Sequence, residues 1–153
     1  MTTRYEDDLY AWSTEQVALL KAGHLALLDL PHVIEELGNV GMSEYSELSN
    51  HLGMLLSHLR KLHLGQEHKP HDFARAGRGW WLTCREQRVQ IAKKLRRNPT
   101  LRKNLATMCS DEYEAARLNC AQYLPIAEDL IPLTCPWSVE DVLTVHWFPE
   151  LAQ

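Results

Sequence analysis

Residues 43–64, SEYSELSNHLGMLLSHLRKLHL, decide the fold of this chain. Apolar residues recur here every three or four positions, a spacing that places them on one face of an α-helix. They are Tyr45, Leu48, Leu52, Leu55, Leu56, Leu59 and Leu62. This stripe predicts an amphipathic helix that anchors a helical core.

On the N-terminal side of this stretch the sequence predicts two further helices. The first covers residues 5–22 and ends at Gly23, since glycine readily adopts the left-handed conformation that stops a helix. The second begins after Asp29, a suitable N-cap, and weakens at Gly38 and Gly41. Its apolar face carries Leu30, Val33, Ile34 and Leu37.

On the C-terminal side, residues 65–79 lack apolar periodicity and predict a long surface loop. A helix is expected over residues 80–97, and Asn98-Pro99 predicts its stop and the start of the next helix, which runs to about residue 123. An extended tail over residues 124–137 leads to a short helix capped by Ser138.

Together these patterns predict an all-α fold, a single compact bundle of about five or six helices with no sheet, in one domain over residues 1–153. No apolar run approaches the roughly 18–20 residues that span a bilayer. The first ten residues carry Glu6, Asp7 and Asp8, whereas a secretory signal would be basic and then apolar. We therefore expect a cytoplasmic protein that does not enter a membrane.

Catalytic motifs are missing from the sequence. There is no Gly-x-Ser-x-Gly elbow, no phosphate-binding glycine loop, and no Cys-x-x-Cys pair among the four cysteines. The pairs His32/Glu36 and Glu47/His51 are four residues apart, as metal ligands on one helix can be, but no complete metal motif contains them. We predict no catalytic residues, no metal and no cofactor.

Acidic and basic residues are unevenly distributed along the chain. Residues 1–59 hold nine acids and two bases, residues 60–103 hold thirteen of the sixteen Lys and Arg, and residues 104–153 hold eight acids and one base. A basic helix between acidic ones reduces self-repulsion, and we favour this internal interpretation. The alternative is that the basic 85–103 segment binds nucleic acid. Its candidate contacts are Lys93, Lys94, Arg96, Arg97, Arg102 and Lys103.

Charged residues also interrupt the predicted apolar faces. Arg85 and Arg88 fall within the stripe of the 80–97 helix, and Glu112 falls within the stripe of the next helix. A buried guanidinium keeps its proton and requires compensation, so we expect both arginines to pair with carboxylates such as Glu36 or Glu112. The alternative is that the arginines line a cleft and bind an anionic ligand.

Several residue groups occur in a characteristic order along nearly the whole chain. They are Tyr5-Glu6-Asp7-Asp8, Trp12, Glu15-Gln16, Leu28-Asp29, Glu35-Glu36, His58, Lys61, Trp81, Arg85-Glu86-Gln87-Arg88, Pro99-Thr100-Leu101, Tyr113, Ala116-Arg117 and Pro136-Trp137. Their order and spacing resemble the bacterial family called domain of unknown function twenty-nine. The resemblance implies a compact all-helical bacterial protein without an established activity, and a polar network where its helices meet. The chain departs from the family pattern at His32, Gly38 and residues 62–66.

Adding Glu112 to the polar residues that fit this resemblance gives a candidate polar cluster. Its members are Asp29, Glu36, His58, Lys61, Arg85, Arg88 and Glu112. We predict a non-enzymatic protein-interaction module whose partner is an unknown protein, including a second copy of this chain in a homodimer. The alternatives are a nucleic-acid-binding protein and an anion- or metal-dependent enzyme that uses the inward polar cluster.

Overall fold

The computed structural model describes residues 3–68, 72–124 and 126–150. These residues form five α-helices and no strand, so the predicted all-α class is confirmed. The helices are α1 (Leu9–Ala22), α2 (Leu30–His68), α3 (Phe73–Arg97), α4 (Leu105–Tyr123) and α5 (Val139–Leu143). No described helix combines the length and the apolar character needed to cross a membrane.

The chain divides into two compact units, Met1–Ser43 and Glu44–Gln153. We call them the N-terminal unit and the C-terminal unit. The N-terminal unit contains α1 and the first part of α2, and the C-terminal unit contains the rest of α2 with α3, α4 and α5. The single domain expected from the sequence stays a prediction.

Two residues, one at each end, determine where helix α1 begins and ends. The carboxylate of Asp8 accepts the Ala11 N–H at 2.9 Å, which satisfies one of the unpaired donors of the first turn. Gly23 has a φ of 72°, and the next residue, His24, donates its N–H to Leu19 O at 3.0 Å. The predicted stop at Gly23 is thus confirmed, whereas the helix begins at Leu9 and not at residue 5 because Asp8 caps it.

Helix α2 is longer than the sequence predicts. It continues through Gly38 and Gly41, where we expected the helix to weaken, and through residues 65–68. A glycine inside a helix costs about 0.5–1 kcal/mol relative to alanine but leaves the backbone hydrogen bonds intact. Two glycines without a proline therefore do not end the helix.

The predicted surface loop over residues 65–79 is wrong for its described residues, which are helical except for Asp72. Residues 69–71 lie outside the described residues. A Cβ built on Gly65 would come within 2.5 Å of the Phe73 ring, and one built on Gly77 within 3.3 Å. Because these glycines have no side chain, the Phe73 ring at the start of α3 can pack closely against them. In the sequence they resemble loop residues.

The leucine stripe of α2 forms the core of the C-terminal unit, as predicted. Leu48, Leu52, Leu55, Leu56 and Leu59 are fully buried. The buried residues that surround them from α3 and α4 are Trp80, Cys84, Ile91, Leu95, Leu105, Met108, Cys109, Tyr113, Ala116, Cys120 and Ala121. Truncating one such leucine to alanine typically costs about 2–5 kcal/mol.

The segment after α4 is irregular apart from a short 3-10 turn at Glu128–Leu130. Residue 125 of the predicted extended tail lies outside the described residues. The predicted cap of α5 is confirmed, since Ser138 Oγ accepts the Asp141 N–H at 3.1 Å. Ile131 and Val142 are buried and attach this segment to the core.

Candidate functional site

Arg88 is buried and binds the backbone of the C-terminal segment. Its guanidinium donates from Nε to Val142 O at 2.9 Å, from Nη1 to Val145 O at 3.2 Å and from Nη2 to Trp147 O at 2.8 Å. It also lies 5.1 Å from the centroid of the Phe148 ring. Burial lowers the pKa of Arg88. The prediction that Arg88 pairs with a carboxylate is wrong, because carbonyl oxygens and an aromatic face stabilise the cation instead.

Arg85 is exposed, and its guanidinium lies 4.9 Å from the centroid of the Trp81 ring. The prediction that it faces inward is therefore wrong. Helix α3 has apolar residues on two faces, and the buried one carries Trp80, Cys84, Gln87, Arg88, Ile91 and Leu95. Leu82 and Val89 are exposed.

Arg60 is a buried arginine that the sequence analysis missed. Its Nη2 donates to the Tyr113 hydroxyl at 2.5 Å, and its guanidinium lies 4.6 Å from the centroid of the Trp137 ring. Its Nε has no hydrogen-bond partner among the described residues. Arg60 follows Leu56 by four positions and Leu59 by one, so the helical period of the leucine stripe already indicates burial.

Asp29 is the centre of a polar cluster in the N-terminal unit. Its Oδ2 accepts the Trp12 Nε1–H at 3.1 Å and lies 2.7 Å from His32 Nδ1. The hydrogen bond with His32 lowers the pKa of Asp29, and the same bond raises the pKa of His32. The imidazole of His32 also stacks on Tyr5, with ring centroids 4.1 Å apart.

Glu36 lies in the same unit and binds a different residue. The Tyr5 hydroxyl donates to Glu36 Oε1 at 2.5 Å, and this bond raises the pKa of Tyr5 to about 12. His32 and Glu36 therefore have separate partners and do not form a chelating pair. In the other ligand-like pair, His51 Nδ1 lies 2.6 Å from Gln87 Oε1. Among the described residues, no three His, Cys, Asp or Glu side chains are placed to hold a metal ion.

The N-terminal unit also contains a groove of about 400 Å³ between α1 and the first turns of α2, which we call the apolar groove. It is lined by Trp12, Ser13, Gln16, Val17, Leu20, Val33, Glu36, Leu37 and Val40. Leu37 is 68% exposed and Val40 is 60% exposed. The predicted apolar face of this part of α2 is therefore largely open to solvent.

Few side chains of the N-terminal unit are buried. Among its described residues, Trp12 and Gln16 are the buried ones. Its exposed large apolar side chains are Leu9, Tyr10, Val17, Leu20, Leu25, Leu27, Leu30, Ile34, Leu37, Val40 and Met42. Four of them, Val17, Leu20, Leu37 and Val40, line the apolar groove, and contiguous exposed apolar surface is typical of protein-interaction sites.

Three candidate residues, His58, Lys61 and Glu112, line one groove of about 660 Å³ in the C-terminal unit. We call it the α2–α4 groove, and its other lining residues are Asn50, Gly53, Met54, Ser57, Ala115, Ala116 and Asn119. Glu112 Oε1 accepts the Ser49 hydroxyl at 2.8 Å, so Glu112 does not act as the predicted partner of an inward arginine. A Cβ built on Gly53 would lie 2.7 Å from Glu112 Oε2, which shows how closely α2 and α4 approach.

Burial alters both basic groups of the α2–α4 groove. It lowers the pKa of Lys61, whose side chain is held with Nζ 4.7 Å from the centroid of the Tyr123 ring. It also lowers the pKa of His58. His58 Nδ1 lies 2.8 Å from Met54 O, and because a carbonyl can only accept, Nδ1 carries the proton of the neutral ring.

The basic residues at the end of α3 and in the following turn fall into two groups. Lys94 binds Glu47 and Glu44, with Nζ 3.2 Å from Glu44 Oε2, and the bonds to these two carboxylates raise its pKa. Lys94 thus fits the internal interpretation of the basic segment. The exposed group consists of Lys93, Arg96, Arg97, Arg102 and Lys103.

The seven candidate residues are distributed over the two units. Asp29 and Glu36 belong to the N-terminal unit, and His58, Lys61 and Glu112 line the α2–α4 groove. Arg88 binds the C-terminal segment and Arg85 is exposed beside Trp81. Within the C-terminal unit, His58, Arg85 and Arg88 therefore have different surroundings.

The model of the family described as Domain of unknown function DUF29 matches residues 4–148 of the chain. The chain belongs to this family. The resemblance of its residue pattern to DUF29 is thus confirmed, and the matched range includes every candidate residue of both units. No curated protein and no solved structure gives a significant match to this DUF29 chain.

Proposed function

We propose that this DUF29 chain is a protein-interaction module and that its docking surface is the apolar groove of the N-terminal unit. The observation that supports this most strongly is the exposure of Val17, Leu20, Leu37 and Val40 around the groove. Fully burying an exposed leucine or valine side chain contributes about 1.5–3 kcal/mol, and these four residues are between 47% and 68% exposed. A partner that covers these four residues therefore gains a substantial hydrophobic driving force.

The shape of the groove favours a helix as the occupant. Val17 and Leu20 are three apart on α1, and Val33, Leu37 and Val40 are four and three apart on α2. Apolar rows of this spacing suit the apolar stripe of a third helix, as in other helix-in-groove complexes.

Charge decides between a foreign helix and a second copy of the same groove. The N-terminal unit holds seven acids against Arg4 and Lys21, a formal net charge of −5. Pairing the groove with itself would bring two such charges together, and like charges across an interface oppose association. We therefore propose that the occupant is an amphipathic helix of another protein, with Lys or Arg beside its apolar stripe.

A designed peptide tests this proposal with a defined ligand. The peptide carries leucines at positions i, i+3, i+4 and i+7 with lysines at the other positions, and a matched peptide replaces every lysine with glutamate. We expect the lysine peptide to bind in a fluorescence anisotropy titration and the glutamate peptide to bind at least tenfold more weakly. We also expect the affinity to fall as salt rises.

Variants of this chain locate the binding. Leu37→Ser combined with Val17→Ser removes apolar area from the groove and should weaken binding at least tenfold. Leu133→Ser is the control, since Leu133 is exposed and lies in the C-terminal unit. Equal binding of both peptides, or equal binding by both variants, would contradict the proposal. Light scattering that finds a dimer broken by Leu37→Ser would assign the groove to a second copy instead.

A second candidate function is nucleic-acid binding, which the exposed group at the end of α3 favours. Lys93, Arg96, Arg97, Arg102 and Lys103 are exposed within eleven consecutive residues of the sequence. Such clusters bind phosphates with an affinity that falls steeply with salt. A mobility-shift assay with duplex DNA and single-stranded RNA tests this function, and the absence of retardation at low salt for wild type would exclude it.

We also propose a reducing, cytoplasmic setting, with bacteria as the source that the family resemblance implies. All four cysteines are free, and Cys84, Cys109 and Cys120 are buried. Free buried thiols are typical of proteins in reducing compartments. Mass spectrometry of protein from the native host, alkylated at lysis, should find all four thiols reduced.

A further inference from the structure

Lys61 is a buried cation whose surroundings provide no anion. The residue is only 8% exposed, and the face of the Tyr123 ring lies next to its ammonium group. Within the described parts of the chain, no carboxylate and no hydrogen-bond acceptor contacts its Nζ. Lys94, by comparison, binds two glutamates. A lysine with so little exposed surface usually has such partners, because burying an unpaired ammonium is costly.

Lys61 is one of the residues that line the α2–α4 groove. Asn119 lies on the opposite wall, where its Oδ1 accepts the Ser57 hydroxyl at 2.9 Å. The Nδ2 of that amide therefore has its two hydrogens available to donate. His58 donates from Nδ1 to Met54 O, so the lone pair of its Nε2 can accept a hydrogen bond.

Charge differs between the two ends of the groove. Lys61 supplies a cation at one end, and Glu112 contacts Gly53 and Ser49 at the other. Gly53 and Lys61 are eight residues apart on α2, about 12 Å along the helix axis. An anion is therefore attracted to the Lys61 end and repelled from the Glu112 end. The small and apolar side chains of Met54, Ala115 and Ala116 suit an uncharged remainder of the ligand.

We propose that the α2–α4 groove binds a small oxyanion, a carboxylate or phosphate group, with Lys61 as its cationic contact and Asn119 as a neutral donor. A hydroxyl of the ligand, or the proton of a partly protonated phosphate, donates to His58 Nε2. This site is independent of the docking surface in the N-terminal unit. Its ligand supplies the missing acceptor for Lys61, and binding stabilises the protonated amine whose pKa burial lowers.

Titrations with sodium phosphate and with butyrate, followed by amide NMR in a low-chloride buffer, test the site. We expect saturable shifts in wild type that centre on residues 57–61 and on Asn119. Lys61→Met keeps the apolar stem and removes the charge, so it should weaken binding at least tenfold. Lys21→Met removes an exposed lysine of the N-terminal unit and should leave binding unchanged.

A second variant keeps the test valid if Lys61→Met fails to fold. Asn119 is exposed, so Asn119→Asp should preserve the fold while its new charge repels an anion and weakens binding at least tenfold. Stronger binding of phosphate assigns the site to phosphate-bearing ligands, and stronger binding of butyrate assigns it to carboxylates. Absence of saturable binding to wild type, or unchanged binding in Lys61→Met or Asn119→Asp, would overturn the proposal.

Discussion

Arg60 donates to the Tyr113 hydroxyl at 2.5 Å, and that hydroxyl donates in turn to Pro132 O at 2.9 Å. The two bonds join α2, α4 and the irregular segment after α4 inside the core of the C-terminal unit. A neutral hydroxyl and the faces of Tyr113 and Trp137 thus surround this buried guanidinium. Arg60 and Arg88 show that backbone carbonyls, a hydroxyl and aromatic rings hold buried arginines in this protein.

Replacement of Tyr113 by phenylalanine tests this chain of bonds. The variant leaves Arg60 without its acceptor and Pro132 O without its donor, so we expect a loss of about 1–3 kcal/mol in the free energy of unfolding. Urea denaturation followed by circular dichroism measures it. Tyr123→Phe is the control, since Tyr123 is exposed and keeps its ring over Lys61. An equal loss in both variants would contradict the account of Tyr113.

Arg88→Met should detach the C-terminal segment. The variant loses three hydrogen bonds to carbonyls, and we expect it to lower the free energy of unfolding by about 2–3 kcal/mol. Hydrogen exchange should accelerate in α5 before it does in α2. Arg85→Met changes an exposed arginine of the same helix and should cost less than about 0.5 kcal/mol. A similar loss in the two variants would mean that the carbonyl contacts of Arg88 are unimportant.

The Asp29–His32 pair makes the N-terminal unit sensitive to pH. Because the hydrogen bond raises the pKa of His32, its stabilising effect is complete below about pH 6.5, the ordinary histidine value, and is lost as pH rises through the raised pKa. Because the pKa of Asp29 is lowered, its contribution is present above about pH 3.9 and is lost as pH falls through the lowered value. We therefore expect maximal stability of this unit between these two limits.

An NMR titration of the His32 ring measures this pair directly. Asp29→Asn should lower the pKa of His32, since the largest cause of its rise is removed. Asp7→Asn removes an exposed carboxylate that does not contact His32 and should leave the titration unchanged. A His32 titration that is identical in wild type and Asp29→Asn would show that the pair does not form in solution.

The cysteines should react in an order set by burial. Burial raises the pKa of Cys84 to about 12 and of Cys109 and Cys120 to about 11. Since the thiolate is the reactive form, these three should be alkylated slowly in the native protein at pH 8. Cys135 is half-buried and should be alkylated first. Mass spectrometry after timed exposure to N-ethylmaleimide checks the order, and early modification of Cys84 would contradict it.

Local signals explain which parts of the fold could be predicted. The leucine stripe, the stop at Gly23 and the cap at Ser138 depend on residues within one helix or its next turn, so the sequence contains their causes. The parts of the fold that could not be predicted depend on contacts that form only when the chain is folded. Gly65 and Gly77 resemble loop residues until Phe73 is packed against them. The buried face of α3 likewise depends on Arg88 meeting carbonyls more than fifty residues later.

The candidate sites show the same division. His58 and Lys61 are three apart on one helix, so their proximity was predictable, whereas their position opposite Asn119 depends on how α2 and α4 pair. The apolar face of the first part of α2 was visible in the sequence. Periodicity cannot tell whether such a face packs within the chain or against another protein, and in this structure Ile34 and Leu37 are exposed.

Methyl NMR of leucine- and valine-labelled protein, titrated with the lysine peptide, tests the proposed docking surface most directly. We expect the methyl signals of Val17, Leu20, Leu37 and Val40 to shift together and saturate. The methyl signals of the exposed Leu82 and Val89 of α3 should not shift. Shifts confined to α3, or none at any of the groove methyls, would contradict the claim that this protein binds a partner helix in its apolar groove.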